Sequence, residues 1–283
     1  MAQKLFYFNP TAELAIKNGN KSYQPPRVLS VFEEDLACLP FVFANEHDAV
    51  FVPTKPSDRF LEHLCALQIS LPSFLSKEDL VLRGESVPFA LMPWANSPNL
   101  PAIFPRYNYC EKKGIPNLQL PLWESSASSL FRRESSFDLW QLLSHECAIP
   151  MPKLPVFCKS MAELENAIAG NNRSVVKLNY SSSGRGVFFV SQSIDPCEKA
   201  RISKNICDGA IVEPWYENVA DLSLQFRVNA GNAEFVGATQ MFTDGQGRYA
   251  GTMVNAQEIH HKEEVFCLET MLSPFVNAYL AVL

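Results

Sequence analysis

The 283-residue chain predicts an α/β fold in two parts. In the first third, short apolar runs alternate with segments patterned as helices, which points to a small, mostly parallel sheet. In the second part, β-rich runs follow one another across turns rich in Gly, Ser and Asn, and some of them read as strand pairs. Between the parts, Pro93, Pro98, Pro101, Pro105, Pro116 and Pro121 punctuate a stretch that predicts extended crossing loops. A boundary in this region divides the chain into an N-terminal α/β domain, 1–125, and a second domain, 126–283, in keeping with roughly 100–200 residues per domain.

Taken in order, Lys4–Phe8 is a strand-forming run that ends at Asn9-Pro10-Thr11. Thr11 is placed to cap a helix through Leu14 and Ile16, with Glu13 in its first turn. Ala49–Val52 is a second strand. Ser57 then opens a helix whose Phe60, Leu61, Leu64 and Leu67 fall at helical spacing. Phe89–Met92 is a third strand. No Gly-x-Gly-x-x-Gly follows any of these strands, so the dinucleotide fingerprint is missing. Asn9, Glu13 and Asn96 sit near strand ends, where ligands of α/β sheets gather.

The second part opens with a helix that presents Phe137, Trp140 and Leu143, with Ser136 as its cap. Leu154–Cys158 is a strand. Ser160 caps Met161–Ala169, Glu163 stands three residues on as in a capping box, and Gly170 ends the helix. Ser174–Leu178 and Val187–Val190 are strands around a loop, Tyr180–Gly186. Ala210–Trp215 is a further strand, and Asp221–Val228 pairs with Glu234–Met241 across 229–232. Glu263–Leu283 is patterned as helix, with Val265, Leu268, Met271 and Leu272 at helical spacing.

Composition narrows the function. With 47% apolar and 19% charged residues the chain can build a packed core and is not of the disordered class. Its 24 basic and 30 acidic side chains give a net charge of −6, which argues against a general nucleic-acid coat. The apolar runs are far shorter than the roughly 18–20 residues that span a bilayer, and Met1–Phe8 is too brief for a secretory signal. These features predict a soluble cytoplasmic protein. No two of the 8 cysteines form Cys-x-x-Cys, so neither a zinc knuckle nor a thioredoxin-like motif is present. His260-His261 is a poor chelating pair, because adjacent side chains diverge.

The stretch that carries chemistry runs from Val175 to Val190. Lys177 lies on a strand just before Ser181-Ser182-Ser183-Gly184-Arg185-Gly186. Small residues let backbone N–H groups approach an anion, serine hydroxyls add donors, and a strand lysine supplies a point charge to a phosphate. Between Asn166 and Ile194 there is no acid, but Arg173, Lys177 and Arg185 are present, so an acidic protein is locally basic in a way that suits a polyphosphate. A plain hairpin with a flexible loop accounts equally well for the Gly-x-Gly by itself.

The surroundings add a family resemblance. The helix Phe137–His145, the turn Ala148-Ile149-Pro150-Met151-Pro152, the helix Met161–Ile168, Val176-Lys177 with its loop, then Ile211-Val212-Glu213-Pro214-Trp215-Tyr216 and Asp221-Leu222-Ser223 occur in an order that resembles the ATP-grasp family of ATP-dependent ligases. The resemblance covers roughly residues 130–255. It implies an α+β nucleotide-binding unit with mainly antiparallel sheets, preceded by a small α/β domain. It also implies ATP as cofactor with Lys177 at the α- or β-phosphate, Ser181–Gly186 as a lid over the phosphates, and Glu213, Pro214, Trp215 and Tyr216 at the adenine edge, with Asp221 nearby. A proline keeps the carbonyl that accepts from the adenine amino group. Arg227 is a candidate for an acidic ligand or catalytic contact. Arg132 or Arg133 stands where many members carry a second lysine.

The resemblance also implies Mg²⁺ held by a late acid and a Glu-x-Asn. Those ligands are not found: of the late acids Glu258, Glu263, Glu264 and Glu269, none is followed two residues on by Asn. The apolar end Phe275–Leu283 therefore leads us to expect a truncated or split member whose final helix offers a surface for self-association. The family reaction is carboxylate activation through an acyl phosphate, followed by attack of an amine or other nucleophile. The alternative is a nucleotide-binding pseudoenzyme or interaction subunit. A nucleotide-sugar transferase would call for Asp-x-Asp, which does not occur.

Overall fold

The computed structural model describes residues 2–83, 88–105, 114–146, 152–181, 186–218, 220–229, 232–244 and 249–254. The chain forms two compact units, Met1–Arg132 and Arg133–Leu283. In the first, the chain order is β1 (Gln3–Tyr7), α1 (Ala12–Asn18), α2 (Arg27–Asp35), β2 (Ala49–Phe51), α3 (Asp58–Ala66), β3 (Ser73–Leu75), α4 (Lys77–Leu82), β4 (Phe89–Pro93), α5 (Leu100–Ile103) and β5 (Leu118–Gln119). The strands lie in the order β3-β2-β1-β4-β5 and every pairing is parallel. This is the small parallel sheet that strand-helix alternation predicts.

Strand alternation buries both faces. Leu5 and Ala49 stand opposite each other and point into a core with Leu75, Leu80, Phe89, Leu91 and Leu100. Their neighbours Phe6 and Val50 point the other way, toward Val52 and Ala37. Asn9, 4% exposed, holds the ends of β1 and β4 together: its Nδ2 donates to the Ala95 carbonyl at 2.8 Å and its Oδ1 accepts from the Ala95 N–H at 3.1 Å. Asp48 is buried at the start of β2, where its carboxylate accepts from the backbone N–H groups of Lys4 and Asn45.

Two helix starts differ in kind. Ser57 caps α3 as expected, accepting from Phe60 N–H at 3.3 Å. Thr11 precedes α1 without capping it: its backbone, at φ −89° and ψ 8°, is not extended as a cap requires, and its N–H and hydroxyl donate to Glu33 of α2. A capping box that the sequence reading passed over, Ser76 with Asp79, starts α4. The proline-rich stretch is not loop throughout: α5 and the two-residue edge strand β5 lie within it.

The second unit runs α6 (Arg133–Glu146), β6 (Val156–Cys158), α7 (Met161–Ala169), β7 (Ser174–Leu178), β8 (Val187–Val190), α8 (Pro196–Ser203), β9 (Ala210–Pro214), β10 (Asp221–Asn229), β11 (Asn232–Thr243) and β12 (Tyr249–Met253). They make an antiparallel sheet β6-β9-β7-β8 and a second antiparallel sheet β10-β11-β12. Helix α6 begins at Arg133, before Ser136, because Arg133 N–H donates to the Asn179 carbonyl and Glu134 N–H to Asn179 Oδ1, both at 3.0 Å. Ser160 caps α7, and Glu163 reaches back to the N–H of Lys159 at 2.7 Å.

The first sheet divides by parity. Val176, Leu178, Phe188, Val190, Ala210 and Val212 pack on Leu164 and Ile168 of α7 and Ile202 of α8. The alternate residues Val175, Lys177, Val187, Phe189 and Glu213 face the other way, toward a cleft. The segment Glu263–Leu283, expected to be helical, lies outside the described residues.

Candidate functional site

The cleft has a volume of about 640 Å³ and lies between the free face of sheet β6-β9-β7-β8 and the ends of β10 and β11. Strand register builds its floor. Val175 stands opposite Glu213 and Lys177 opposite Ile211, so Lys177 and Glu213 are diagonal neighbours on one face. Their side chains form an ion pair, with about a third of each exposed. At that exposure the pair contributes no more than about 1 kcal/mol to the fold, so an incoming anion can take Lys177 at small cost.

Aromatic and polar groups line the rest. The Phe189 ring meets Trp215 edge-on at 4.8 Å, and the Arg173 guanidinium lies 5.8 Å from the centre of the Trp215 ring. Trp215 N–H donates to the Arg173 carbonyl at 3.0 Å, which extends the β7–β9 pairing one step past the strand. Tyr216, half exposed, accepts at its hydroxyl from Lys153 N–H at 3.2 Å. Asp221, at the start of β10, accepts from Asn218 Nδ2 at 2.8 Å. The cleft thus has a cation and a carboxylate on its floor, flat rings at one side and further carboxylates, Asp221 and Asp244, at the β10–β11 side.

The stem of the Ser/Gly loop is fastened from below. Leu178 N–H donates to the Gly186 carbonyl at 2.8 Å, which closes the base of the loop. Arg133 donates from Nε to the Leu178 carbonyl at 3.1 Å and from Nη2 to Ser181 Oγ at 3.1 Å. Ser181 Oγ donates in turn to the Leu178 carbonyl. Asn179, 1% exposed, donates to the Asp208 carbonyl at 2.6 Å while it accepts from Glu134 N–H. Gly186 is required by this packing: a Cβ there would fall 2.4 Å from Ser181 Cβ.

The structure brings Lys177, Glu213, Pro214, Trp215, Tyr216 and Asp221 to one cleft. Ser181 and Gly186 are at the loop stem. Ser182, Ser183, Gly184 and Arg185 lie outside the described residues. Arg227 is elsewhere, in an exposed cross-strand pair with Glu234 at 3.8 Å, and is not among the cleft residues. Arg133, offered as a charge to replace the second lysine, is engaged by the loop stem.

Sequence reasoning passed over Lys153 and Asp244, which reach the cleft through a loop and through the β10–β11 register, and gave Trp140 only a helix face. The indole Nε1 of Trp140 is buried with no hydrogen-bond partner. It also passed over Asn179, whose signal was a polar residue directly after an apolar strand. Among the described residues no three His, Cys, Asp or Glu side chains gather as for a metal ion. No helix among them is long and apolar enough to cross a membrane.

Comparison with known proteins gives the fold a context. No protein-family model matches the chain, and no curated protein matches it in sequence. Among solved structures, biotin carboxylase from Campylobacter jejuni, in a complex with β,γ-ATP, superposes with a TM-score of 0.51 over 99% of this chain and 59% of its own, at 14% identity. An N5-carboxyaminoimidazole synthetase from Staphylococcus aureus complexed with ADP has TM-score 0.47 and 12% identity over 95% of this chain. D-alanyl-alanine synthetase A from Vibrio cholerae has TM-score 0.47 and 9% identity over 99%. The chain spans 62% of the length of the Staphylococcus protein. The fold is that of the ATP-grasp ligases.

Proposed function

We propose that the cleft of the second unit binds ATP and that the chain belongs to an ATP-dependent ligase reaction, in which a carboxylate is activated as an acyl phosphate and then attacked by an amine or another nucleophile. The observation that carries this reading is the placement of Lys177 on the cleft floor with Pro214, Trp215 and Tyr216 at its rim. A lysine held on a strand beside a glycine-serine loop neutralises phosphate charge, and flat rings beside a proline carbonyl suit a purine. The Campylobacter biotin carboxylase structure, which holds a nucleotide, has the same fold.

In this reading Lys177 leaves Glu213 for the α- or β-phosphate. Glu213 is then available to orient the nucleotide or the lysine. Arg133 holds the stem Leu178–Ser181, from which the loop Ser181–Gly186 would cover the phosphates in this reading. Phosphoryl transfer asks for such positioning and charge neutralisation more than for covalent chemistry. Mg²⁺ is part of the family reaction, but the described carboxylates do not gather into a site for it, so no step is derived through the metal. A cytoplasmic location goes with the reading, since Cys38, Cys65, Cys158, Cys197 and Cys207 are free thiols.

Calorimetric titration with ATP tests it. Lys177→Ala removes a charge-assisted contact of about 1.5–3 kcal/mol, which weakens binding roughly tenfold to a hundredfold. Unchanged affinity refutes the role of Lys177. Binding without turnover on any carboxylate-amine pair favours the nucleotide-binding pseudoenzyme or interaction subunit.

A further inference from the structure

A second cavity, of about 380 Å³, lies in the first unit at the carboxyl ends of β1 and β2 and is reached by Asn99 and Ile103 beyond β4. In an open parallel sheet this is the edge where ligands bind. The strand order β3-β2-β1-β4-β5 reverses direction between β1 and β4, immediately beside it. No residue of the nucleotide cleft takes part.

The wall of the cavity is chemically one-sided. Glu33 and Glu34 are the charged side chains that line it, and no Lys, Arg or His is among the described lining residues. Glu33 is held in place: Oε1 accepts from the N–H of Thr11 at 3.2 Å and from its hydroxyl at 2.5 Å, and both bonds fall on this one oxygen. The phenols of Tyr7 and Tyr23 line the same cavity as this carboxylate. Burial pushes the Tyr7 hydroxyl well above the ordinary phenol range, and the Glu33 charge pushes it the same way; Tyr23 is raised by the same two causes. Both phenols therefore stay protonated, as donors beside an acceptor. Phe51 lines the cavity too, with the Tyr7 ring packed edge-on against it at 5.8 Å.

We propose that this cavity is a binding site for a small primary amine with an apolar or aromatic body and no carboxylate. The ammonium would meet the Oε2 oxygen of Glu33 and the phenol oxygens of Tyr7 and Tyr23. The body would lie against Phe51 and the small side chains Ala12 and Ala15. An anion would find two carboxylates and no cation. A neutral alcohol would forgo the ion pair and the attraction of a cation to ring faces.

The test uses the full chain without nucleotide, so its outcome is independent of the ATP reading. Calorimetric titration compares 2-phenylethylamine, 2-phenylethanol and 3-phenylpropanoate at low salt. The amine is expected to bind at least tenfold more tightly than the alcohol, with the acid weakest, and to lose affinity as NaCl rises. Glu33→Gln keeps an acceptor for Thr11 and is expected to weaken amine binding about tenfold, with the alcohol unchanged. If Glu33→Gln fails to fold, Tyr23→Phe, which keeps the ring of a partly buried side chain, serves instead and weakens the amine alone. No binding of the amine, equal binding of amine and alcohol, or full amine affinity in a folded Glu33→Gln protein overturns the proposal.

Discussion

Gly186→Ala tests the packing under the phosphate loop with one added methyl group. The new Cβ would stand 2.4 Å from Ser181 Cβ, 2.8 Å from Ser181 Oγ and 3.2 Å from Leu178 Cβ. Carbon atoms in contact sit about 3.5–4.0 Å apart, so something must move by about 1 Å. Ser181 is poorly placed to yield, because its hydroxyl accepts from Arg133 and donates to the Leu178 carbonyl. Leu178 is also fixed, since its N–H bonds to the Gly186 carbonyl and its side chain is in the core. Overpacking of this kind costs about 1–3 kcal/mol. For a unit of this size that lowers the melting temperature by about 2–4 °C per kcal/mol. Two variants serve as controls. Gly237→Ala on β11 meets nothing within 4 Å and is expected to leave the melting temperature unchanged or slightly raised. Ser181→Gly in the Gly186→Ala background removes the carbon that clashes and is expected to recover part of the loss, a non-additive result. Calorimetric melting of five proteins, the wild type, Gly186→Ala, Gly237→Ala, Ser181→Gly and the double variant, measures this. Equal melting temperatures for Gly186→Ala and Gly237→Ala would refute the reasoning.

Three further outcomes follow from the same geometry. Asn179→Ala leaves Glu134 N–H and the Asp208 carbonyl without their buried partner, and is expected to destabilise the second unit by about 2–4 kcal/mol in urea unfolding. Burial pushes the Cys158 thiol up from 9.0 to about 11, with the Glu163 charge adding to it. The unfolded thiol ionises first, so this contribution to stability is whole below pH 9 and is lost as pH rises toward 11; Cys158→Ala flattens that part of a melting-temperature profile. A thiol reagent at pH 8 should label the exposed Cys65, Cys197 and Cys207 in the folded protein and spare Cys158 until unfolding.

Much of the fold was legible because local signals agreed with the tertiary setting. Ser160, Glu163 and Gly170 mark α7 at both ends, and Val187–Val190 reads as a strand because its alternation is honoured by the core. The short pieces were not legible. β3 and β5 are three and two residues long, and they are strands because β2 and β4 offer them an edge. Thr11 is not a cap for a similar reason: its backbone is held out of the extended conformation of a cap, where its N–H and hydroxyl donate to a glutamate 22 residues away. In the cleft, Lys177 and Glu213 were singled out with the motif that surrounds them. Asp244 was hidden, because it reaches the cleft through a hairpin register that shifts at Gln225/Phe226. The acidic cavity of the first unit was equally hidden, since its wall is drawn from segments after three different strands.

The parity of β7 has an evolutionary consequence. Five consecutive residues, Ser174–Leu178, write two separate texts in alternate letters: one is the hydrophobic interior, the other the cleft floor. Point changes at 175 or 177 can retune the cleft without touching the interior at 176 and 178. A single-codon insertion or deletion inside the strand would exchange the two, driving a lysine into the interior and a valine into the cleft. Lineages of this protein are therefore expected to tolerate substitution in β7 chiefly at the cleft-facing Val175, while length change there should be purged, and indels should collect in the turns on either side.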